Sequence, residues 1–163
     1  MKKAATATPL HLVVRIGSYQ ERNLGKDVVS AHNEVVERCD RVMFGKAGRI
    51  LSADRLQAIR DALAEGAESK LIVVQRLRDG FVCHAAPILS LPQSSYQPNA
   101  RLVPRYYHDL INDIRLWVEI GMLVPVKEAF LQSMSLTSNA HSLLATLNSC
   151  RTSLMLVQEG TNK

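Results

Sequence analysis

Little in this chain is typical of a secreted or membrane protein. It has only three cysteines in 163 residues. Cys39, Cys83 and Cys150 lie far apart, which argues against a disulfide framework and favours reduced thiols in the core. No apolar run approaches the roughly 20 residues of a membrane-spanning helix, and residues 1–8 lack the hydrophobic stretch of a secretory signal. We therefore expect a cytoplasmic protein that makes no contact with a membrane.

Catalytic and cofactor motifs are also missing. The sequence contains no His-Glu-x-x-His, Gly-x-Ser-x-Gly or Cys-x-x-Cys pattern and no dinucleotide-binding glycine pattern. Cys83 and His84 are neighbours, but adjacent side chains on a strand point in opposite directions, so a thiol–imidazole pair would need a distant histidine. Enzyme activity therefore has no positive support, and we expect neither a cofactor nor a metal.

The composition indicates an ordinary globular chain. Hydrophobic residues make up 47% and charged residues 21%, and this length is sufficient to bury a core without disulfides or metals. We expect residues 1–8 to be a disordered N-terminus and residues 9–163 to form a single α+β domain. The net charge of +5, most of it before Ile120, is compatible with a partner that carries phosphates.

Hydrophobic periodicity predicts alternating strands and helices in the first part of the chain. Apolar residues alternate over residues 10–16, which is the pattern of a half-buried strand. Apolar spacing of three and four residues then predicts a helix over 26–38. A short strand over 41–44 should turn at residues 45–48, and Ser52 is a good N-cap for a second helix that ends near Gly66.

The later part of the chain is predicted to be richer in strands. Residues 71–77 and 81–91 should form a hairpin at Asp79-Gly80, and residues 92–104 a long loop. A strand over 113–120, a helix around Leu143–Leu147 and a last strand over 153–157 should follow. We therefore predict an α+β fold with a strongly curved mixed or antiparallel sheet, or a small β-barrel, with two early and one or two late helices. A doubly wound α/β fold is the alternative.

Aromatic and basic side chains are concentrated in one window. The chain has three phenylalanines, four tyrosines and one tryptophan, and three of these eight residues are Tyr106, Tyr107 and Trp117. Strand alternation places Trp117 on the same face as Arg115, opposite the aliphatic residues. Trp117 either packs beneath a helix on that face or lines a cleft where a flat group such as a base stacks. If the segment before it is extended, at most one of Tyr106 and Tyr107 shares a pocket with Trp117; if it is helical, both can.

Residues 44–49, with the sequence Phe-Gly-Lys-Ala-Gly-Arg, form a basic turn flanked by glycines. Exposed backbone N–H groups and the cations Lys46 and Arg49 suit a phosphate group, although a solvated turn is the simpler interpretation. Arg115, on the face of Trp117, is a further phosphate candidate. His32 falls on the apolar face of the first predicted helix, where a hydrogen-bonded core histidine is more common than a ligand or a base.

The segment 17–23, Gly-Ser-Tyr-Gln-Glu-Arg-Asn, is similar to the Arg-Asn-Tyr-Gln-Ala-Arg-Asn segment of EVE domains. The strand 42–44 and the later Pro-x-Tyr-Tyr pattern followed by Trp117 are similar to strands of related barrels. In these stretches, within the first fifty residues and over 101–124, the chain resembles the PUA-like superfamily, which includes the EVE, ASCH and YTH domains. That superfamily consists of small curved β-barrels with helices between the early strands.

The resemblance implies a module that binds nucleic acid, DNA or RNA. It would hold one flipped or single-stranded base, often a modified one, in an aromatic pocket, with basic loops on the flanking phosphates. The pocket residues implied are Tyr19, Trp117 and one of Tyr106 and Tyr107. The implied phosphate contacts are Lys46, Arg49 and Arg105.

The last third of the chain supports an alternative function. It carries few charges and is rich in leucine, methionine and serine, so it offers a possible surface for a homodimer or a protein partner. A small intracellular interaction protein, such as an inhibitor or immunity factor of phage or host defence that occludes its partner, would need no catalytic motif. Because both classes bind rather than catalyse, the sequence alone does not separate them.

Overall fold

A mixed β-sheet organises the part of the chain that the computed structural model describes, which is residues 9–16, 25–77, 80–93, 95–149 and 154–159. The strands in these ranges are β1 Leu10–Ile16, β2 Val42–Ala47, β3 Lys70–Leu77, β4 Gly80–Ser90, β5 Ile114–Ile120, β6 Val124–Val126, β7 Met134–Leu136 and β8 Leu154–Glu159. The helices are α1 Gly25–Cys39, α2 Ala53–Ala64, α3 Glu128–Gln132 and α4 Leu143–Ser149, with 3₁₀ helices at Ala100–Leu102 and Arg105–Asp113.

The sheet is open rather than closed. Its strands follow the order β2-β5-β4-β3-β1-β8-β7, and β6 pairs with β4 outside this path. Among the described strands, β1 and β3 are the one parallel pair, and the other neighbours are antiparallel. The α+β class with a mixed sheet is therefore confirmed. The barrel alternative is wrong, since no pairing among the described residues joins the edge strands β2 and β7. The doubly wound alternative does not fit either, because such a fold has a mostly parallel sheet.

Most of the predicted elements are present. The Ser52 hydroxyl accepts a hydrogen bond from the Arg55 N–H at 3.4 Å, which caps α2, and Gly66 has a φ of +89° just after that helix. The hairpin strands β3 and β4 pair antiparallel up to Leu77 and Gly80. The turn residues Arg78 and Asp79 themselves lie outside the described residues.

The expectation that β1 is half buried is wrong. The strand lies between β3 and β8, and residues on both of its faces, including Leu12 and Val13, are fully buried. His11, which alternates with the apolar residues of this strand, is 1% exposed, and its Nδ1 accepts a hydrogen bond from the Lys70 N–H at 3.0 Å. The reason is a second layer on the far side of the sheet.

That second layer comes from the last third of the chain. Leu131 of α3 and Leu143 and Leu147 of α4 are fully buried, and they pack with sheet residues such as Ile72 and Met134, the latter in the edge strand β7, in one hydrophobic cluster. The elements α3 and β7 were not predicted. These apolar side chains belong to the protein's own core, so they do not form the surface for a homodimer or protein partner that the sequence suggested for the last third of the chain.

Strand β2 is longer than predicted. Gly45, Lys46 and Ala47, expected in a turn, pair with residues of β5, and the chain turns instead at Gly48, whose φ is +75°. The register of β2 on β5 shifts between Lys46 and Ala47. Ile114, predicted to lie with the other aliphatic residues of β5, packs in the cluster of Trp117 on the opposite face.

Candidate nucleic-acid interface

Trp117 lies in a small hydrophobic cluster at the β2 edge of the sheet. Its neighbours in β5, Leu116 and Val118, pack into the main core on the other face. Trp117 is 7% exposed and packs with Met43, Leu102, Val103 and Tyr107. The structure thus follows the alternative in which Trp117 packs beneath a helix, here the 3₁₀ helix Arg105–Asp113.

Tyr107, in the 3₁₀ helix Arg105–Asp113, contacts Trp117. The ring centroids are 5.6 Å apart at an interplanar angle of 73°, an edge-to-face arrangement that aromatic pairs favour. Tyr107 is 5% exposed. Both rings are therefore part of a packed cluster rather than of an open cage.

The Tyr107 hydroxyl joins three elements through a buried polar network. It accepts a hydrogen bond from the Gly45 N–H at 3.1 Å and lies 3.2 Å from both the Gly45 carbonyl oxygen and Nε2 of His32. Nδ1 of His32 is 2.6 Å from the Val28 carbonyl oxygen, so Nδ1 carries the ring proton and Nε2 is an acceptor. The hydroxyl proton is then shared between Nε2 and the Gly45 carbonyl.

His32 is a hydrogen-bonded core histidine, as the apolar face of α1 predicted. It is fully buried, and its ring stacks on Phe44 at a centroid distance of 4.9 Å. Burial lowers the pKa of His32 to about 4, despite the opposing effect of the Val28 carbonyl. The imidazole is therefore neutral at physiological pH.

Three predicted phosphate residues lie around the Gly48 turn, and we call Lys46, Arg49 and Arg115 the basic turn. Arg115 reaches from β5 and donates a hydrogen bond through Nη1 to the Gly48 carbonyl at 3.3 Å. Arg49 and Arg115 are exposed and Lys46 is half-buried, and burial lowers the pKa of Lys46. Among the described residues, none of the three cations forms an ion pair.

A cleft next to the basic turn reaches the edge of Trp117. Its floor is apolar, formed by Trp117 together with Ile50, Leu56 and Leu116. Its rim carries Arg60, Pro92, Gln93 and Arg115. The cleft has a volume of about 30 Å³, which is room for about two water molecules.

Arg60 is a candidate that the sequence interpretation missed. The residue lies one helical turn after Leu56, a buried residue of α2, and helical spacing brings residues four apart close together. That spacing was the available signal. Gln93, in the loop after β4, had no comparable signal because its position depends on tertiary contacts.

The remaining predicted site residues are not brought to this cleft by any described contact. Arg105 is exposed at the first position of its 3₁₀ helix. Tyr19 lies outside the described residues, as does the side chain of Tyr106. Of the predicted residues, Lys46, Arg49 and Arg115 therefore form the basic turn, Tyr107 and Trp117 are in contact, and Arg105 joins neither group by a described contact.

Other chemistry has little support in the described part of the chain. No group of three or more His, Cys, Asp or Glu side chains there is arranged to hold a metal ion. Burial, with a smaller contribution from Glu128, raises the pKa of the Cys83 thiol to about 11, so this thiol stays protonated and is a poor nucleophile. None of the described helices has the length and apolar character needed to cross a bilayer.

Comparisons with known proteins do not assign a family. No family model matches the chain, and no curated protein matches it. Among solved structures, the chain is similar to the crystal structure of the CPSF4-YTH domain of Toxoplasma in its apo form, with 11% identity and a TM-score of 0.45. The alignment covers 93% of this chain and 81% of that one. A similarity at this level identifies neither a family nor a function.

Proposed function

We propose that this protein binds nucleic acid and that the basic turn contacts the phosphates. The observation that supports this proposal is that three cations belong to the Gly48 turn without a described carboxylate partner: Lys46 and Arg49 flank Gly48 in the chain, and Arg115 donates to the Gly48 carbonyl. Surface cations are commonly balanced by nearby acidic side chains, whereas an unbalanced cluster attracts anions. The net charge of +5 acts in the same direction.

The side-chain chemistry of the basic turn suits a phosphodiester backbone. Two guanidinium groups provide planar forks of donors for phosphate oxygens, and the lysine adds a point charge. The hydrogen bond from Arg115 to the Gly48 carbonyl fixes one fork relative to the turn. Because backbone phosphates supply most of the affinity in such complexes, this arrangement favours binding with limited sequence preference.

Recognition of a base, including a modified one, is the finer part of the proposal. Trp117 is the aromatic residue that lines the cleft beside the basic turn. A base is much larger than the 30 Å³ of this cleft, so stacking on Trp117 requires the segment around Gln93 to move. Phosphate binding needs no such movement, and it is therefore the part to test first.

Binding of labelled single-stranded DNA and RNA at low salt, followed by fluorescence anisotropy, tests the proposal. The double variant K46Q/R49Q should bind at least tenfold more weakly, because two charge-assisted contacts are lost. R38Q is the matched control, since Arg38 is exposed on α1 and outside the basic turn. Equal affinity of K46Q/R49Q and the wild type, or no binding by the wild type, would refute the proposal.

A second series addresses the base. Oligonucleotides with and without a modified base, such as a methylated adenine or cytosine, should be compared on the wild type and W117F. A preference for one base that is lost in W117F would support stacking on Trp117. Identical affinities across the series would leave phosphate binding in place and remove base recognition from the proposal.

A further inference from the structure

We propose that the cleft between Arg60 and Arg115 is a binding site for a single phosphate group. This inference rests on the proposed function, because it assigns one phosphate of the bound nucleic acid to a defined place beside the basic turn. It adds Arg60 and Gln93, which neither the sequence pattern nor the basic turn identified. We call this place the phosphate cleft.

Arg60 is held in position without losing its charge. Its Nε donates to the Leu91 carbonyl at 2.8 Å, and its Nη2 donates to the Pro92 carbonyl at 2.9 Å. Nη1 lies 3.5 Å from the side-chain oxygen of Gln57, whose amide donates in turn to Asp61. All the described partners of Arg60 are neutral, so a fixed positive charge remains at the rim of the cleft.

A second guanidinium, that of Arg115, also lines the cleft. Arg115 is oriented by its bond to the Gly48 carbonyl, and Gln93 lies on the same rim. Two guanidinium groups and an amide can together donate several hydrogen bonds to phosphate oxygens. Among the described residues, no carboxylate lines the cleft, so none of these side chains repels an anion by its charge.

The charge of the cleft favours a phosphate over a base. Two guanidinium groups attract an anion more strongly than an uncharged base. A volume of about 30 Å³ has room for about two water-sized atoms, so a phosphate would place only some of its oxygens in the cleft and leave the rest of the group at its mouth. That arrangement avoids the cost of burying a whole anion beside the apolar side chains of Ile50, Leu56 and Trp117.

Trp117 provides a direct optical measurement of this site, because it is the one tryptophan of the chain and forms part of the cleft floor. The full-length protein should be titrated with inorganic phosphate, a nucleoside monophosphate and the corresponding nucleoside, each at constant ionic strength. Phosphate and the monophosphate should change the tryptophan emission saturably, and the nucleoside and an equal concentration of chloride should not. A saturable change with the nucleoside would overturn the proposal, since it would indicate a site for the base.

Substitutions connect the signal to the named side chains. R60Q should weaken phosphate binding at least tenfold, whereas R55Q, at an exposed position of the same helix, should leave it unchanged. Because Arg60 also holds the loop at Leu91 and Pro92, R60K and Q93A are needed as well, with thermal unfolding measured for each. R60K keeps the charge and loses the fork, so it should bind with intermediate affinity. Wild-type affinity in R60Q, or in both R60K and Q93A if R60Q does not fold, would overturn the proposal.

The two proposals fail in different ways. If K46Q/R49Q loses oligonucleotide binding while R60Q and Q93A retain both oligonucleotide and phosphate affinity, the basic turn is supported and the phosphate cleft is wrong. If the wild type gives the phosphate signal but binds no oligonucleotide, the nucleic-acid proposal is wrong. In that case the phosphate cleft would serve a small phosphorylated ligand.

Discussion

The indole ring of Trp117 lies directly over the α-carbon of Gly45, its partner across the antiparallel strands β2 and β5. A Cβ atom placed on Gly45 would be 2.8 Å from Cζ3 of Trp117, closer than real Cβ contacts allow. An aromatic ring that covers a glycine on the neighbouring strand is a known means of stabilising a sheet. Gly45 is therefore required by its packing against Trp117 and not by a turn, because it lies within strand β2.

G45A should destabilise the protein, because the new methyl group overlaps the indole ring. We expect a loss of about 1–3 kcal/mol in the free energy of unfolding, as is typical of overpacking. The measurement is chemical denaturation of the wild type, G45A, W117F and the double variant. Since phenylalanine lacks the second ring, G45A/W117F should lose less than the sum of the two single variants. Strict additivity would show that the ring and the glycine do not interact.

Y107F should also be destabilising, although the change removes a single oxygen atom. The Gly45 N–H loses its described acceptor, and Nε2 of His32 loses its described donor. Leaving such buried groups without partners costs about 1–3 kcal/mol. Y96F is the matched control, because Tyr96 packs against the same cluster and its hydroxyl has no hydrogen bond among the described residues. Equal effects of Y107F and Y96F would mean that the hydroxyl network contributes little.

Local periodicity was sufficient to predict the longer elements and not the shorter ones. The two-residue period of β1 and the apolar spacing of α1 are visible in sequence because each extends over at least seven residues. Helix α3 has five residues and β7 has three, which is too short for either period to be distinguished. Because helix α3 was not predicted, the layer that covers the second face of the sheet was not anticipated either, and β1 was expected to be half buried.

The candidate site was predicted in part for a related reason. Alternation placed Trp117 and Arg115 correctly relative to Leu116, because this relationship depends only on strand geometry. The contacts of Tyr107 with Gly45 and His32 span 62 and 75 residues, and no local pattern encodes a contact at such a separation. The end of β2 was misplaced because Gly45 was interpreted as a turn glycine, whereas its role depends on a tryptophan in another strand.

The stability of the protein should fall as the pH decreases from 6.5 toward 4, in part because of His32. Its pKa is about 4 in the folded chain against an ordinary value of 6.5, so the unfolded chain binds the proton more readily across this window. The stability contributed by the neutral histidine is complete above pH 6.5 and is lost progressively below it. The shift corresponds to a loss of about 2 kcal/mol between pH 7 and pH 5.

H32Q isolates this contribution. Burial also lowers the pKa values of His11 and His84, so the wild type and the variant should both lose stability in acid. The difference between their free energies of unfolding, measured with denaturant at pH 7 and pH 5, should become smaller at pH 5. A difference that is independent of pH would contradict this prediction, because it would mean that folding does not lower the pKa of His32.

The salt dependence of oligonucleotide binding should separate phosphate contacts from indirect effects of the substitutions. Each neutralised phosphate releases bound counterions, so the logarithm of the association constant falls with the logarithm of salt concentration by about 0.7 per contact on a single strand. If Lys46 and Arg49 each contact one phosphate, K46Q/R49Q should have a slope shallower by about 1.4 than the wild type. R38Q should keep the wild-type slope. If K46Q/R49Q binds more weakly but keeps the wild-type slope, the two side chains act through the shape of the turn. Loss of a phosphate contact would reduce the number of counterions released on binding, and so would make the slope shallower.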